Sequence, residues 1–167
     1  MFFRARNLLF AGLAVLMGAA IAVPLAVADD SSASATDTPP VAVERFSYPG
    51  AAGILTSDGI ELKKGDGHIL LVTCDDSTDQ IRVYTVLDST VGRRGDYCFK
   101  ATAASGYLTL SLPRVFALET GDHPISADLT ANGATSTVDV AEGGFESVGE
   151  GTTGGARSVL VEIRVTG

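Results

Sequence analysis

The sequence has no tryptophan, two histidines, two cysteines, and 12 basic residues against 20 acidic ones. Each shortage narrows the possible functions. Without tryptophan, and with aromatics at 7 % of the chain, there is little to stack on sugar rings. Paired carboxylates for glycoside cleavage would therefore lack a substrate platform. Two cysteines and two scattered histidines lack the short paired spacing of a zinc site. The basic pairs Lys63-Lys64 and Arg93-Arg94 are too short to form a phosphate-binding patch. A net charge of −8 also repels nucleic acid and anionic membranes. No Gly-x-Ser-x-Gly elbow is present. His123 follows Asp122, but neighbours on a strand point to opposite faces, so no Ser–His–Asp set is placed around it or around His68. The expectation is a non-catalytic protein without a cofactor.

Helical periodicity is missing as well. Beyond residue 45, no run of about ten residues or more holds the i, i+3, i+4 apolar pattern. The chain shows period-two alternation instead, broken by Gly, Asp and Pro roughly every eight to twelve residues.

The first part of the chain reads as a targeting segment. Met1-Phe-Phe-Arg-Ala-Arg6 is a short basic start, and Leu8 to Val27 is almost wholly apolar. The segment ends in Ala26-Val27-Ala28, the small-x-small pattern of a signal-peptide cleavage site. Residues 1–28 are read as a signal peptide cleaved after Ala28. An uncleaved anchor is the rival, since about 20 apolar residues can span a bilayer; Pro24 and the small residues before Asp29 favour cleavage. Cleavage removes Arg4 and Arg6, taking the net charge from −8 to −10. Residues 29–45 are small, polar and proline-bearing, a flexible linker. No second apolar run is long enough to span a membrane, so no membrane insertion is expected after cleavage, and the protein is expected to be secreted.

Residues 46–167 make one domain, organised around His68 to Phe99. Cys74 and Cys98 lie near the two ends of that stretch, and in an oxidising compartment they are expected to form a disulfide. His68–Thr73, apolar on both faces, reads as a central strand buried between two layers. An acidic turn, Asp75–Asp79, leads to a second strand, Gln80–Leu87. Gly53–Thr56 reads as a short edge strand, and Ile60 and Leu62 alternate in the next one. Tyr97–Thr102 follows the loop after Leu87. In Tyr107–Leu112, Leu108, Leu110 and Leu112 share a face, and Pro113 ends or bends the strand before Arg114–Glu119. Ile125 to Val140 is the cleanest hairpin, turning at Asn132-Gly133. Val159–Val165 closes the domain. No helix is expected. The fold class is all-β: an antiparallel β-sandwich of immunoglobulin-like or related Greek-key type, with a closed barrel as the alternative.

Three loops hold the candidate sites. Asp75, Asp76 and Asp79, with Ser77 and Thr78, offer oxygens to calcium, which takes six to eight. The EF-hand spacing is absent, and a solvated turn is the alternative. The glycine-rich segment 141–156 carries Phe145 and Val148, two apolar residues that would anchor a partner if exposed or plug the core if not. Arg94-Gly95-Asp96 reads as an ordinary turn. Within Val91–Tyr97, Arg93 or Arg94 would suit an acidic specificity pocket if the domain were an enzyme inhibitor.

Ile125–Val140, with Gly-Gly-Phe145 after it, resembles the hairpin of the neocarzinostatin-type apoproteins, small acidic exported sandwiches that carry an enediyne chromophore. The similarity covers about 20 residues, and the two disulfides of that family are not matched. It implies a carrier of a small apolar ligand between two sheets. The leading expectation is a secreted module that binds a protein or small ligand through end loops. A secreted protease inhibitor and a secreted hydrolase are the alternatives.

Overall fold

The computed structural model describes residues 46–167; the expected signal peptide and linker lie outside the described residues. Nine strands form one open sheet in which every pairing is antiparallel. They are β1 (Glu61–Gly65), β2 (Ile69–Val72), β3 (Gln80–Thr85), β4 (Asp96–Ala101), β5 (Gly106–Thr120), β6 (Ile125–Ala131), β7 (Ala134–Val140), β8 (Phe145–Ser147) and β9 (Ser158–Val165). The spatial order is β2-β4-β3-β5-β9-β6-β7, with β1 and β8 also pairing to β5. The sheet does not close into a barrel.

The long strand β5 organises this sheet. Its first part pairs β1 and β9, and its last part pairs β3 and β8. Between them lie register shifts on both sides of Leu112-Pro113 and a backbone φ of +63° at Arg114. Pro113 cannot donate to a ladder, and bulges bend a strand and raise its twist. The proline thus bends the strand rather than ending it. A bidentate pair holds Arg114 in its unusual conformation: Nε donates to Glu150 Oε1 at 2.6 Å and Nη2 to Glu150 Oε2 at 2.7 Å.

One core draws on both portions of the sheet. It contains Ile81, Val83, Tyr97 and Phe99 from β3 and β4. Leu108, Leu112 and Leu118 come from β5, and Ile125, Leu160 and Ile163 from β6 and β9. The alternation of β3 matches its burial, with Ile81, Val83 and Thr85 inward. On β9 the expected face of Val159, Val161, Ile163 and Val165 is buried only at Ile163 and Val165; Ser158 and Leu160 are buried in the first half instead, because both neighbouring ladders shift register between Leu160 and Glu162. β9 lies between β5 and β6, an interior position. The hairpin is as expected: Ala131 faces Ala134 across Asn132-Gly133, whose φ values are +51° and +80°.

Several expectations are corrected. Gly53–Thr56 is not an edge strand; it lies in α1 (Ala51–Asp58), an α-helix between Gly50 and Gly59, both left-handed. No residue of α1 is fully buried, which is why it carries no apolar stripe to read. Ala51 and Ile54 still rest against the core. β2 is not a central strand but one end of the sheet order, with Leu70 exposed. β2 and β3 do not pair with each other; β4 lies between them. Segment 141–156 is not a plain loop, since it contains β8 and a short 3-10 turn, Gly149–Gly151.

The disulfide joins Cys74 to Cys98, with Cα atoms 5.0 Å apart. It ties the end of β2 to β4, the strand between β2 and β3. Among the described residues, no helix is long and apolar enough to cross a membrane.

Candidate functional site

Strand β3 puts Ile81, Val83 and Thr85 into the core and so turns Arg82 and Tyr84 to its other face. Arg82 stands opposite Glu119 on β5, and Glu119 stands opposite Phe145 on β8. The three form a row across three strands. In the next row Tyr84 faces Ala117, and Ala117 faces Ser147. The β3–β5 register skips Phe116 between Val115 and Ala117. This bulge brings the Phe116 ring beside Tyr84, with centroids 6.2 Å apart and planes tilted by 36°. The Phe145 ring lies 6.1 Å from that of Tyr84, tilted by 55°. Both separations fall in the range for favourable aromatic pairs. Phe145 is 57 % exposed, so its ring is largely offered to solvent.

Polar groups fix the centre of this patch. The Tyr84 hydroxyl donates to Glu119 Oε2 at 2.5 Å, and that bond, then burial, raises the phenol's pKa above the ordinary tyrosine value. The Arg82 guanidinium, held first by its hydrogen bond with Tyr84, has its pKa raised as well. Arg82 Nη2 donates to the Asp75 carbonyl at 2.9 Å, and Nε reaches Cys98 Sγ at 3.4 Å. The aromatic patch is thus linked through Arg82 to the disulfide and the acidic turn.

Beside it opens a cleft of about 280 Å³, lined by Asp75–Thr78, Gln80, Arg82, Glu119 and Gly121 among others. The turn is clamped to the segment after β5: Thr78 Oγ1 donates to Asp122 Oδ2 at 2.6 Å, and the Asp122 N–H donates to the Thr78 carbonyl at 2.6 Å. A Cβ on Gly121 would lie 1.8 Å from the Thr78 oxygen, so glycine is required for this approach. The cleft is walled mainly by polar side chains and backbone.

The acidic side chains do not converge on one point. Asp75 Oδ1 accepts from the Ser77 N–H at 2.8 Å and from Gln80 Nε2 at 2.7 Å. The first of these bonds leads the lowering of its pKa. Asp79 pairs instead with Lys100 at 2.6 Å. Asp75 and Asp76 border the cleft, whereas Asp79 is not among its lining residues. Cys74, Asp96 and Cys98 also lie close together, but the two sulfurs are joined and so cannot act as thiolate ligands.

The other sequence candidates separate in the same way. Phe145 is exposed, but Val148 is part of the core and takes no part in a surface contact. Arg93 is turned inward: Nε donates to the Val86 carbonyl at 2.7 Å and Nη2 to Asp88 Oδ2 at 3.3 Å, and its side chain is 8 % exposed. Arg94 lies over the Tyr97 ring, 4.7 Å from its centroid, and pairs with Asp58 at 3.5 Å. The loop 91–97 is therefore tied down by its own arginines. His68 Nδ1 lies 3.0 Å from the Ser105 carbonyl, and His123 Nδ1 lies 2.8 Å from the Gly167 carbonyl; neither ring is bonded to a serine hydroxyl.

Arg82, Tyr84, Phe116 and Glu119 were not singled out by sequence reasoning. The alternation of β3 does place Arg82 and Tyr84 on one face. Their meeting with Glu119, Phe116 and Phe145 depends on the β3–β5–β8 register and on a bulge, neither of which leaves a local sequence signal. No protein-family model matches the chain, and no curated protein matches it either.

Proposed function

We propose that this chain is an exported, non-catalytic β-sandwich module that binds a partner through the Phe145 patch. The observation that carries the reading is the largely exposed Phe145 ring, packed beside Tyr84, which in turn packs beside Phe116. An exposed aromatic on a rigid support, rimmed by fixed polar groups, is the usual make-up of a binding hot spot. Arg82 and Glu119 supply that rim, and both are held by bonds within the fold. An export route agrees with the disulfide.

In this reading the two portions of the sheet on either side of the β5 bend face one another as the layers of a sandwich. It is supported by the single core they share and by the proline and bulges at the bend, a known way for a strand to pass from one layer to the other. The partner makes a surface contact rather than filling a cavity, a reading supported by the polar, open character of the cleft beside the patch. That geometry favours a protein or polar ligand over the enclosed apolar ligand implied by the hairpin resemblance.

Native mass spectrometry of the protein recovered from its own host's culture fluid tests the proposal. A bound species present with the wild-type chain and absent with Phe145→Ser supports it. Equal retention by a folded Phe145→Ser variant would refute the assignment of the patch. A mass that retains residues 1–28 would refute the export reading.

A further inference from the structure

Strand β7 is an open edge. It pairs β6 through seven consecutive residues with no register shift, and among the described residues nothing pairs with its other side. The φ values of Asn132 and Gly133, +51° and +80°, are those of a type I′ turn, which closes with a hydrogen-bonded pair of flanking residues. That pair is Ala131 and Ala134. Antiparallel pairs alternate between hydrogen-bonded and open, so Ala134, Ser136, Val138 and Val140 spend their amides on β6. The N–H and C=O groups of Thr135, Thr137 and Asp139 then point outward.

Proteins commonly protect such an edge with lysine, proline, a bulge or a covering side chain. The β2 edge has one such cover: the Tyr48 hydroxyl accepts the Leu71 N–H at 2.7 Å. β7 has none of them. Its sequence, Ala-Thr-Ser-Thr-Val-Asp-Val, holds one charge, and all of its residues but Val138 and Val140 are exposed.

We propose that β7 is a docking edge for a second copy of this chain, the two β7 strands running antiparallel about a twofold axis at Thr137. The pattern of free groups selects this register. Thr137 then faces Thr137 of the second copy, and Thr135 faces Asp139. These are the residues whose backbone groups point outward, so about six N–H···O=C bonds form across the seam. Ser136 faces Val138, and Ala134 faces Val140. The lone carboxylate, Asp139, meets a threonine hydroxyl instead of its own copy, and opposed threonines suit a strand pair. Centring the pair on Asp139 would oppose two carboxylates. The interface is narrow and joins two acidic chains, each of net charge −10 once residues 1–28 are cleaved. The dimer therefore dissociates on dilution and strengthens as salt screens the repulsion. It leaves the Phe145 patch, on β8, free for a different partner.

Sedimentation equilibrium of the secreted protein over a concentration series, at low and high salt, tests this with three variants. Thr137→Lys places two ammonium groups face to face on a solvent-facing position. The expected result is at least about a tenfold weaker dimer, roughly 1.4 kcal/mol, with the far-UV circular dichroism spectrum unchanged. Thr137→Cys brings two cysteines to a Cα separation of about 5.5 Å, within disulfide range, and should give a linked dimer under mild oxidation. Ser136→Cys, facing Val138, should not. Wild-type protein that stays monomeric throughout would overturn the proposal. So would a Thr137→Lys dimer of undiminished affinity, or equal cross-linking at 136 and 137. A monomer whose Thr137 amide resists hydrogen exchange would overturn it in favour of residues 29–45 covering the edge.

Discussion

Removing the disulfide, by Cys74→Ala with Cys98→Ala, should destabilise the fold by an amount set by the loop it closes. The cysteines are 24 residues apart in sequence. On the chain-entropy account, releasing a loop of that size frees the unfolded chain by about 3.5 kcal/mol at 25 °C. Unfolding entropy of about 2.1 cal/mol/K per residue, over a domain of about 120 residues, converts this to a fall in Tm of roughly 14 °C. The native strands should survive, because backbone ladders hold β4 to both β2 and β3. The far-UV circular dichroism spectrum should therefore be unchanged below the transition. Urea unfolding should also show a larger m-value, since the unfolded chain without the cross-link exposes more surface. A Tm drop below about 5 °C with an unchanged m-value would refute the reasoning. It would mean that the unfolded chain holds this loop closed without the bond.

Five further outcomes follow from the structure. The Asp128 carboxyl lies below the ordinary aspartate range, through its bonds from Arg164 first and the Thr137 hydroxyl second. Its stabilising effect is complete above the unfolded pKa of about 3.9 and is lost as pH falls through the lower folded value. Urea midpoints from neutral pH down to about pH 2 should show Asp128→Asn less stable at neutrality and less sensitive to acid than wild type. Gly121→Ala forces a methyl into the Thr78 carbonyl and should cost about 2 kcal/mol or more. Gly53→Ala meets open space in α1 and should gain up to about 1 kcal/mol by thermal melts. Deleting 159–167 removes the buried Leu160, Ile163 and Val165 from an interior strand. At about 1.5–3 kcal/mol each, that loss approaches the whole stability of about 5–15 kcal/mol, and a soluble protease-resistant product would contradict it. Phe145→Ser, on an exposed ring, should change Tm by no more than a few degrees, corresponding to about 1 kcal/mol or less.

The sequence discloses those parts of the fold that depend on local pattern. The Ile125–Val140 hairpin is legible because Asn132-Gly133 meets the backbone demand of a type I′ turn. β3 is legible because one of its faces is buried; β9 is legible as a strand, but its buried face changes at the register shift beside Val161, which leaves no local signal. The helix α1 is not, because it is eight residues long and buries no side chain fully. Its clearest mark is the glycine pair at 50 and 59, and glycines punctuate turns and strands as readily. The position of β2 is hidden because Ile69–Val72 is apolar enough for a central strand; the Tyr48 hydroxyl on Leu71 and the disulfide stabilise it at the edge. The candidate site was half visible. Phe145 stands out among glycines, but its companions come from β3 and β5, about 25 to 60 residues earlier in the chain, and register is a property of the assembled sheet. Val148 and Arg93 show the converse: chemistry suited to binding that the fold uses internally.

Site-specific photo-cross-linking tests the central claim most directly. A photoreactive phenylalanine analogue at position 145 keeps the aromatic anchor in place, and the same group at Leu87, also exposed, provides the comparison. In the culture fluid of the native host, the account predicts a discrete adduct from position 145, reduced when Glu119→Ala removes the rim, and none from position 87. Equal labelling from both positions, or none from position 145, would contradict a binding role for the Phe145 patch.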